Sequence, residues 1–174
     1  GYKNARYRDQ SNTFCTGGIH STVGDLFKWS RALLSYKLLE KNLQDRMMTP
    51  QAAPYGYGLF IEKGKEWGIE KNIDLINHGG STTGYRAMIA MLEKGKYTIV
   101  LLGSSNLSRS GALAHSIARI LYGQKGTAGN ILGTAIAWKL VSEGEKAAID
   151  MFEKNKANGF KNYLHNAYAY RTYA

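Results

Sequence analysis

The sequence predicts an α+β fold in which helices flank an antiparallel sheet, followed by a short all-helical extension. Apolar residues recur with a helical period early in the chain, and from about residue 55 they form short runs rich in Ile, Leu, Val and Tyr. After residue 109 the helical period returns. Helices and strands that are segregated along the chain, rather than strictly alternating, favour the α+β class.

Two helices are predicted before the strands. Residues 1–18 are polar and without periodicity, so we expect an extended lead-in there. Residues 21–35 predict a helix that begins with a capping pair, Thr22 and Asp25. A second helix at about 40–48 stops before Pro50. The apolar positions expected on the inner face of the first helix are Val23, Leu26, Phe27, Leu33 and Leu34.

Four strands are predicted in the middle of the chain, at 55–63, 73–78, 85–92 and 97–103. The last two are joined by "EKGK", a short connection with one glycine that is typical of a hairpin. Their nearly continuous apolar character predicts strands that are covered on both faces.

A third helix and a helical tail complete the chain. Residues 109–123 predict an amphipathic helix that ends at Gly123, with Leu113, Ile117, Ile120 and Leu121 facing inward. The predicted organisation is a domain at 1–122, a linker at 123–130 and a tail of three short helices at 131–174. The tail weakly resembles a tetratricopeptide unit, with Ala148 four residues before Phe152. A helical extension packed on its own domain or on a partner is the favoured interpretation.

Composition narrows the classes of function. The 174 residues carry a formal charge of +10, but the cations are scattered and no nucleic-acid motif accompanies them. We therefore expect no nucleic-acid partner, although charge-driven binding stays a minor alternative. No apolar run approaches about 18 residues, so no membrane span is expected. Cys15 is the single cysteine, which excludes an internal disulfide and a cysteine-based zinc site.

The candidate functional element is His78-Gly79-Gly80, in the stretch "DLINHGGSTTGYRAMIAML". A histidine titrates near neutrality, so it can act as donor, acceptor or cation in a cleft. Paired glycines let another chain lie close against a strand edge, where a side chain would clash. Considered alone, a histidine beside glycines is more often a surface or core residue than a catalytic one.

The segments around this element, "GGIHSTVGDLFKWSRALLSYKLLEKNLQDRMMTP", "YGYGLFIEK" and "HGGSTTGYRAMIAMLEKGKYTIVLLGSSN", resemble a known family. They are similar to the C-terminal half of the serine β-lactamases and penicillin-binding proteins, and within that family to class C β-lactamases, esterases and D-aminopeptidases. The resemblance covers roughly residues 15–122 and implies a partial β-lactamase/transpeptidase-like fold.

The resemblance also implies roles for four residues. His78-Gly79-Gly80 matches the family's Lys/His-x-Gly triad, which lies on an edge strand beside the catalytic cleft. His78 would bind a substrate carboxylate or assist proton transfer, and Gly79 and Gly80 would accommodate the substrate. The backbone N–H of Ser81 would be one of two oxyanion-hole donors. A histidine in place of lysine favours an esterase or peptidase-like relative over a penicillin-resistance enzyme.

The family's nucleophile motif is absent from this sequence. No serine is followed by a lysine three residues on, so the chain has no Ser-x-x-Lys tetrad. Tyr2-Lys3-Asn4 spells the family's Tyr-x-Asn motif but lies too close to "GGIHST" to be its equivalent. The chain alone is therefore expected to be inactive, and its parent to be a serine hydrolase; the alternative is a non-enzymatic binding module built on the same half-fold.

Other polar residues are assigned structural roles. His20 stands where relatives commonly carry an aromatic residue, and neither His115 nor His165 has a second ligand at metal spacing. We expect no metal and no cofactor. The anticipated partners are a small-molecule or peptide substrate and a second polypeptide, either another copy or a complementing chain. By resemblance, the parent would be a periplasmic or secreted bacterial protein.

Overall fold

The computed structural model describes residues 3–13, 17–126, 139–140 and 142–157. The chain divides into two compact units, Gly1–Lys125 and Gly126–Ala174, which are described separately. The first contains a four-stranded antiparallel sheet with helices on it, so the predicted α+β class is confirmed. The predictions for Tyr2, Cys15, His165 and most of the tail lie outside the described residues.

The sheet has strands in the order β1-β2-β3-β4, all antiparallel. Their bounds are Phe60–Lys63 for β1, Asp74–Thr82 for β2, Tyr85–Leu92 for β3 and Tyr97–Gly103 for β4. The predictions for β3 and β4 are confirmed. Their hairpin turns through Glu93, Lys94 and Gly95, which have positive φ angles of 48°, 55° and 84°.

Two strand predictions are wrong at one end. The first predicted strand, 55–63, begins only at Phe60, because Gly58 has a φ of 75°, in the left-handed region, which interrupts an extended chain. The second, predicted to end at His78, continues through both glycines to Thr82. The turn falls later, at Gly84, where φ is 87°. Gly79-Gly80 is therefore part of a strand and not a turn.

Helix α1, Val23–Leu34, covers part of one sheet face, and α2, Lys41–Met47, follows it. The predicted cap is confirmed, since Thr22 Oγ1 accepts from the N–H of Asp25 at 3.1 Å. Leu33 packs in a buried cluster with Leu59 and Met91. The prediction that Val23 and Phe27 face inward is wrong, because about half of each side chain is exposed.

Helix α3, Ser110–Leu121, packs on the opposite sheet face, against a cluster that includes Trp67, Leu75 and Leu92. Its fully buried residues are Ala114 and Ala118. The prediction that Leu113, Ile120 and Leu121 face inward is wrong, since all three are exposed, whereas Ile117 is partly buried as predicted. Small side chains at the contact let the helix approach the sheet closely, and the larger residues are left outside.

The second unit contains helix α4, Glu145–Ala157, in the region where the sequence predicted a tail helix. Gly144, just before it, has a φ of 87°. Within the described part of the chain, no helix is both long and apolar enough to cross a membrane.

Candidate functional site

His78 lies in the middle of β2, directly after Asn77, where the pairing of β2 with β1 ends. Side chains alternate between the two faces of a strand. Leu75 is buried in the cluster under α3, whereas Ile76 packs on the opposite cluster around Leu33. His78 therefore shares its face with Ile76, and its side chain is half-buried.

Two aromatic residues hold the His78 ring. Tyr55 Oη lies 3.1 Å from His78 Nε2, within hydrogen-bond distance. The Phe60 ring stacks on the imidazole, with centroids 5.9 Å apart and planes inclined by 28°. Tyr55 and Phe60 also contact each other edge-on, with centroids 4.7 Å apart. Tyr55 and Phe60 were both predicted to lie in the strand at 55–63, and no local pattern in the sequence connects either of them with His78.

The two glycines have no conformational need to be glycine. Neither has a positive φ. A Cβ on Gly79 would lie 3.5 Å from Met88 Sδ, an ordinary contact, and one on Gly80 would lie 3.3 Å from Ala87 Cβ. The fold could thus accept alanine at Gly79 with no clash. What the glycines provide is an open surface, because both are exposed on the strand.

The register of β2 determines which backbone groups point away from the sheet. The N–H of Gly64 donates to the carbonyl of Ile73 at 2.9 Å, so Ile73 points its hydrogen-bonding groups toward β1. In an antiparallel ladder this direction alternates with each residue. The N–H and C=O groups of Gly79 and Ser81 share the direction of Ile73, away from β3.

Those groups face open space because β1 is short. It begins at Phe60, which lies opposite Asn77, so β1 leaves the stretch from His78 to Thr82 unpaired on this side. Within residues 3–13 and 17–126, no hydrogen bond to the main chain of Gly79 or Ser81 comes from this side. The structure therefore brings the His78 ring and a free Ser81 N–H onto one short stretch of strand edge.

The Ser81 hydroxyl has no activating partner in the described part of the chain. It is exposed and makes no hydrogen bond to a basic side chain. Ser105, in the connection between β4 and α3, accepts from the N–H of Leu107 at 3.1 Å through its hydroxyl oxygen and serves as a turn residue. Nucleophilic serine chemistry requires a hydroxyl beside a base, and these two serines lack one.

The turn after Ser81 is braced by two residues that sequence analysis missed. Arg86 Nη1 donates to the carbonyls of Thr82 and Tyr85, both at 2.8 Å, and reaches Asn106 Oδ1 at 3.3 Å. Asn106 Oδ1 also accepts from the buried Gly84 N–H at 2.8 Å. The brace fixes the end of the open edge. The only sign of this brace in the sequence is Arg86, a charged residue within the otherwise apolar strand β3.

The Glu62 carboxylate on β1 makes a hydrogen bond to Asn77 on β2, the residue before His78. Glu62 Oε2 accepts from Asn77 Nδ2 at 2.6 Å and from Trp67 Nε1 at 3.0 Å. Asn77 is 4% exposed, so its amide needs this partner. Because Asn77 directly precedes His78, the Glu62 contact anchors the strand at the base of the site.

His115 and His20 lie outside the site. The His115 ring stacks on Trp67, with centroids 4.0 Å apart and planes inclined by 20°. Burial lowers the pKa of His115, and the nearby Glu62 carboxylate partly opposes that effect. His115 is thus a neutral packing residue. His20 is exposed.

No group of three or more His, Cys, Asp or Glu residues that could hold a metal occurs among the described residues. A shallow groove of about 370 Å³ runs along α1. It is lined by Phe27, Lys28, Arg31, Ala32, Ser35 and Lys37. None of these residues lies on β2 or contacts His78.

Comparisons with known proteins do not assign the chain to a family. A scan against protein-family models, a search of curated proteins and a search of solved structures each found no match to this chain. The family resemblance therefore stays a prediction from the sequence motifs alone.

Proposed function

We propose that this chain is the C-terminal portion of a β-lactamase-like serine hydrolase that acts on a lactam, an ester or a D-amino-acid peptide. The observation that carries the proposal is the open edge of β2, a strand that carries the half-buried His78 and, three residues further along, the Ser81 N–H, which no described residue binds. The order of motifs around His78-Gly79-Gly80 supports the same class. An esterase or peptidase fits the histidine better than a penicillin-resistance enzyme.

The edge suits an extended acyl substrate. A peptide-like chain can add to it as a further strand, bonded to the main chain of Gly79 and Ser81. A carbonyl oxygen bound by the Ser81 N–H would gain charge during attack, and that N–H is already fixed by the strand. His78 is placed to bind a substrate carboxylate or to exchange a proton with the reacting groups.

The nucleophile must come from another segment, because this sequence has no Ser-x-x-Lys tetrad. In the proposed reaction a serine oxygen of that segment bonds to the substrate carbonyl carbon, the C–N or C–O bond breaks, and the serine proton passes to the leaving nitrogen or oxygen, which stays tethered in the case of a lactam. Water then hydrolyses the acyl-enzyme. The present chain supplies the His78 side chain, one oxyanion donor and the surface on which the substrate lies.

The test of the proposal is the gene product that would contain this chain together with an upstream segment. Its upstream sequence must contain a Ser-x-x-Lys tetrad; without one, the hydrolase assignment fails. With the tetrad present, the protein should become acylated by a chromogenic β-lactam or a short-chain ester, and His78→Ala should lower kcat/KM about 10²-fold or more. His20→Ala, at an exposed histidine outside the site, is the matched control.

The isolated chain provides a second test. Incubated with the same β-lactam or ester, it should remain unlabelled by mass spectrometry. Covalent labelling of the chain alone would contradict the assignment of the nucleophile to another segment.

The second candidate is a non-enzymatic binding module. The observation that favours it is a second open edge: β4 is the last strand of the sheet, and its seven residues include no charge and no proline. We propose that another polypeptide, either a second copy or a complementing chain, completes the sheet there. A module of this kind would bind its partner equally well when His78 is replaced, whereas a hydrolase would lose turnover.

A further inference from the structure

We propose that Tyr55 is a positioning residue for His78, and that its hydroxyl holds the neutral imidazole as the Nδ1–H tautomer. The nitrogen offered to a bound acceptor group is then Nδ1, which carries the proton. The use of this tautomer in turnover rests on the proposed hydrolase function; the Tyr55–His78 relationship itself does not.

The position of Tyr55 is fixed by its main chain. Its N–H donates to the carbonyl of Ala52 at 2.7 Å, and its carbonyl accepts from the N–H of Gln51 at 2.8 Å. Tyr55 also forms an isolated bridge with Phe60, which in turn pairs with Asn77 beside His78. A short ladder therefore carries Tyr55 to the neighbour of His78, so the phenol does not depend on a flexible loop.

The surroundings of the rings restrict the imidazole to one orientation. Phe60 packs on its plane, and Tyr55 lies 6.0 Å from it between ring centroids, with planes inclined by 55°. The Tyr55 hydroxyl meets His78 at Nε2 and not at Nδ1. A 180° flip about the Cβ–Cγ bond would place Cε1 where Nε2 lies, so it would lose the Tyr55 hydrogen bond while the ring plane stayed against Phe60.

The tautomer follows from the chemistry of the pair. A neutral phenol is a good donor, and the unprotonated nitrogen of a neutral imidazole is a good acceptor. The tautomer of a histidine is set by the hydrogen bond that its other nitrogen makes. With Nε2 accepting from Tyr55, the proton resides on Nδ1. Within the described residues, no hydrogen-bond acceptor is bound to Nδ1, so this N–H is available.

The consequence is a statement about specificity. A neutral His78 that presents Nδ1–H is a donor, so it selects acceptor groups such as a carboxylate, a carbonyl or a leaving-group oxygen. It cannot act as a base through Nδ1 without first losing the Tyr55 contact or exchanging its proton. The structure thus assigns His78 a donor role and Tyr55 the task of maintaining it.

The experiment is ¹⁵N NMR of the imidazole nitrogens in the unsubstituted 174-residue chain. It is carried out at pH 9, well above the ordinary imidazole pKa of about 6.5. The expected spectrum shows His78 Nδ1 protonated and Nε2 unprotonated. In Tyr55→Phe the ratio of the two tautomers should shift toward Nε2–H by roughly two- to tenfold, the value of one hydrogen bond. Tyr57→Phe is the matched control, since Tyr57 is half exposed and its ring faces Arg46.

Two outcomes would overturn the inference. One is a protonated Nε2 in the unsubstituted chain, a result that needs no variant and so does not depend on Tyr55→Phe folding. The other is an unchanged tautomer ratio in a folded Tyr55→Phe chain. Failure of the hydrolase proposal appears elsewhere, as a longer gene product that is not acylated, and leaves these spectra as expected.

Discussion

Gly79 lies opposite Met88 in the sheet, and a Cβ built on Gly79 would lie 3.5 Å from Met88 Sδ and 3.8 Å from the Ala87 carbonyl oxygen, both ordinary contacts. No close contact or positive φ requires a glycine here, and the residue lies where the strand surface is open. This relationship separates what the fold requires from what the proposed site requires.

Substituting Gly79 should therefore leave the fold intact. Gly79→Ala removes backbone freedom from the unfolded chain and should stabilise it by about 0.5–1 kcal/mol, measured by urea unfolding. Gly64→Ala is the contrast, because its Cβ would fall 2.7 Å from Ile73 Cγ1 and 2.8 Å from the Lys71 carbonyl. That variant should be clearly destabilised. A loss of stability in Gly79→Ala equal to that in Gly64→Ala would refute this separation.

Asn106 should be needed to hold the turn after Ser81. Asn106→Ala leaves the buried Gly84 N–H without its acceptor, at a cost of about 1–3 kcal/mol in the free energy of unfolding. Asn106→Asp keeps an acceptor oxygen and should retain most of the stability. Asn42→Ala is the control, since Asn42 is exposed and its side-chain oxygen accepts from the adjacent Leu43 N–H. Equal losses at the two asparagines would contradict the brace.

His115 should make stability fall in mild acid. Its pKa is lowered in the folded state by burial, so the unfolded chain binds a proton first as the pH drops below about 6.5. The stability from the neutral ring is present above that pH and is lost on acidification toward the folded pKa. His115→Phe keeps a ring on Trp67 and should flatten the profile between pH 7 and pH 5, whereas exposed His20→Gln should not. The measurement is the urea midpoint at each pH, and an unchanged slope in His115→Phe would count against the assignment.

The open edge of β4 should make the isolated chain associate. Light scattering is expected to give masses above the 19.3 kDa monomer that rise with concentration. Leu102→Lys places a charge at an exposed position on β4 and should reduce association. Leu107→Lys, at an exposed leucine in the loop beyond β4, should change it less. A monomer at every concentration would contradict the need for a partner strand.

The sequence was sufficient where local chemistry decides the structure. Thr22 caps α1 through a contact with Asp25, three residues away. The hairpin "EKGK" contains Gly95, which adopts a positive φ without strain because it has no side chain. Both depend on neighbours in the chain, so their signals are readable in it. The start of β1 at Phe60 was not predicted, because the neighbouring residues in the sequence do not indicate that Gly58 adopts a left-handed conformation.

The inner face of α3 shows the limit of periodicity. Large apolar residues predicted the buried side, but the sheet lies so close that Ala114 and Ala118 fill the contact and Leu113 and Ile120 remain outside. Helical spacing gives the period of a pattern. Which side of α3 is buried depends on how closely the helix packs on the sheet, and the local sequence carries no information about that distance.

By itself the sequence determined the α+β class, the candidate His78-Gly79-Gly80 and the absence of a Ser-x-x-Lys tetrad. Only the tertiary structure decided that the glycines lie inside β2, that no described residue binds the N–H of Ser81, and that Tyr55 meets His78 from 23 residues away. Composition and motifs are properties of the chain order, whereas a free backbone N–H depends on where a neighbouring strand begins. β1 begins at Phe60, and that one boundary opens the candidate site.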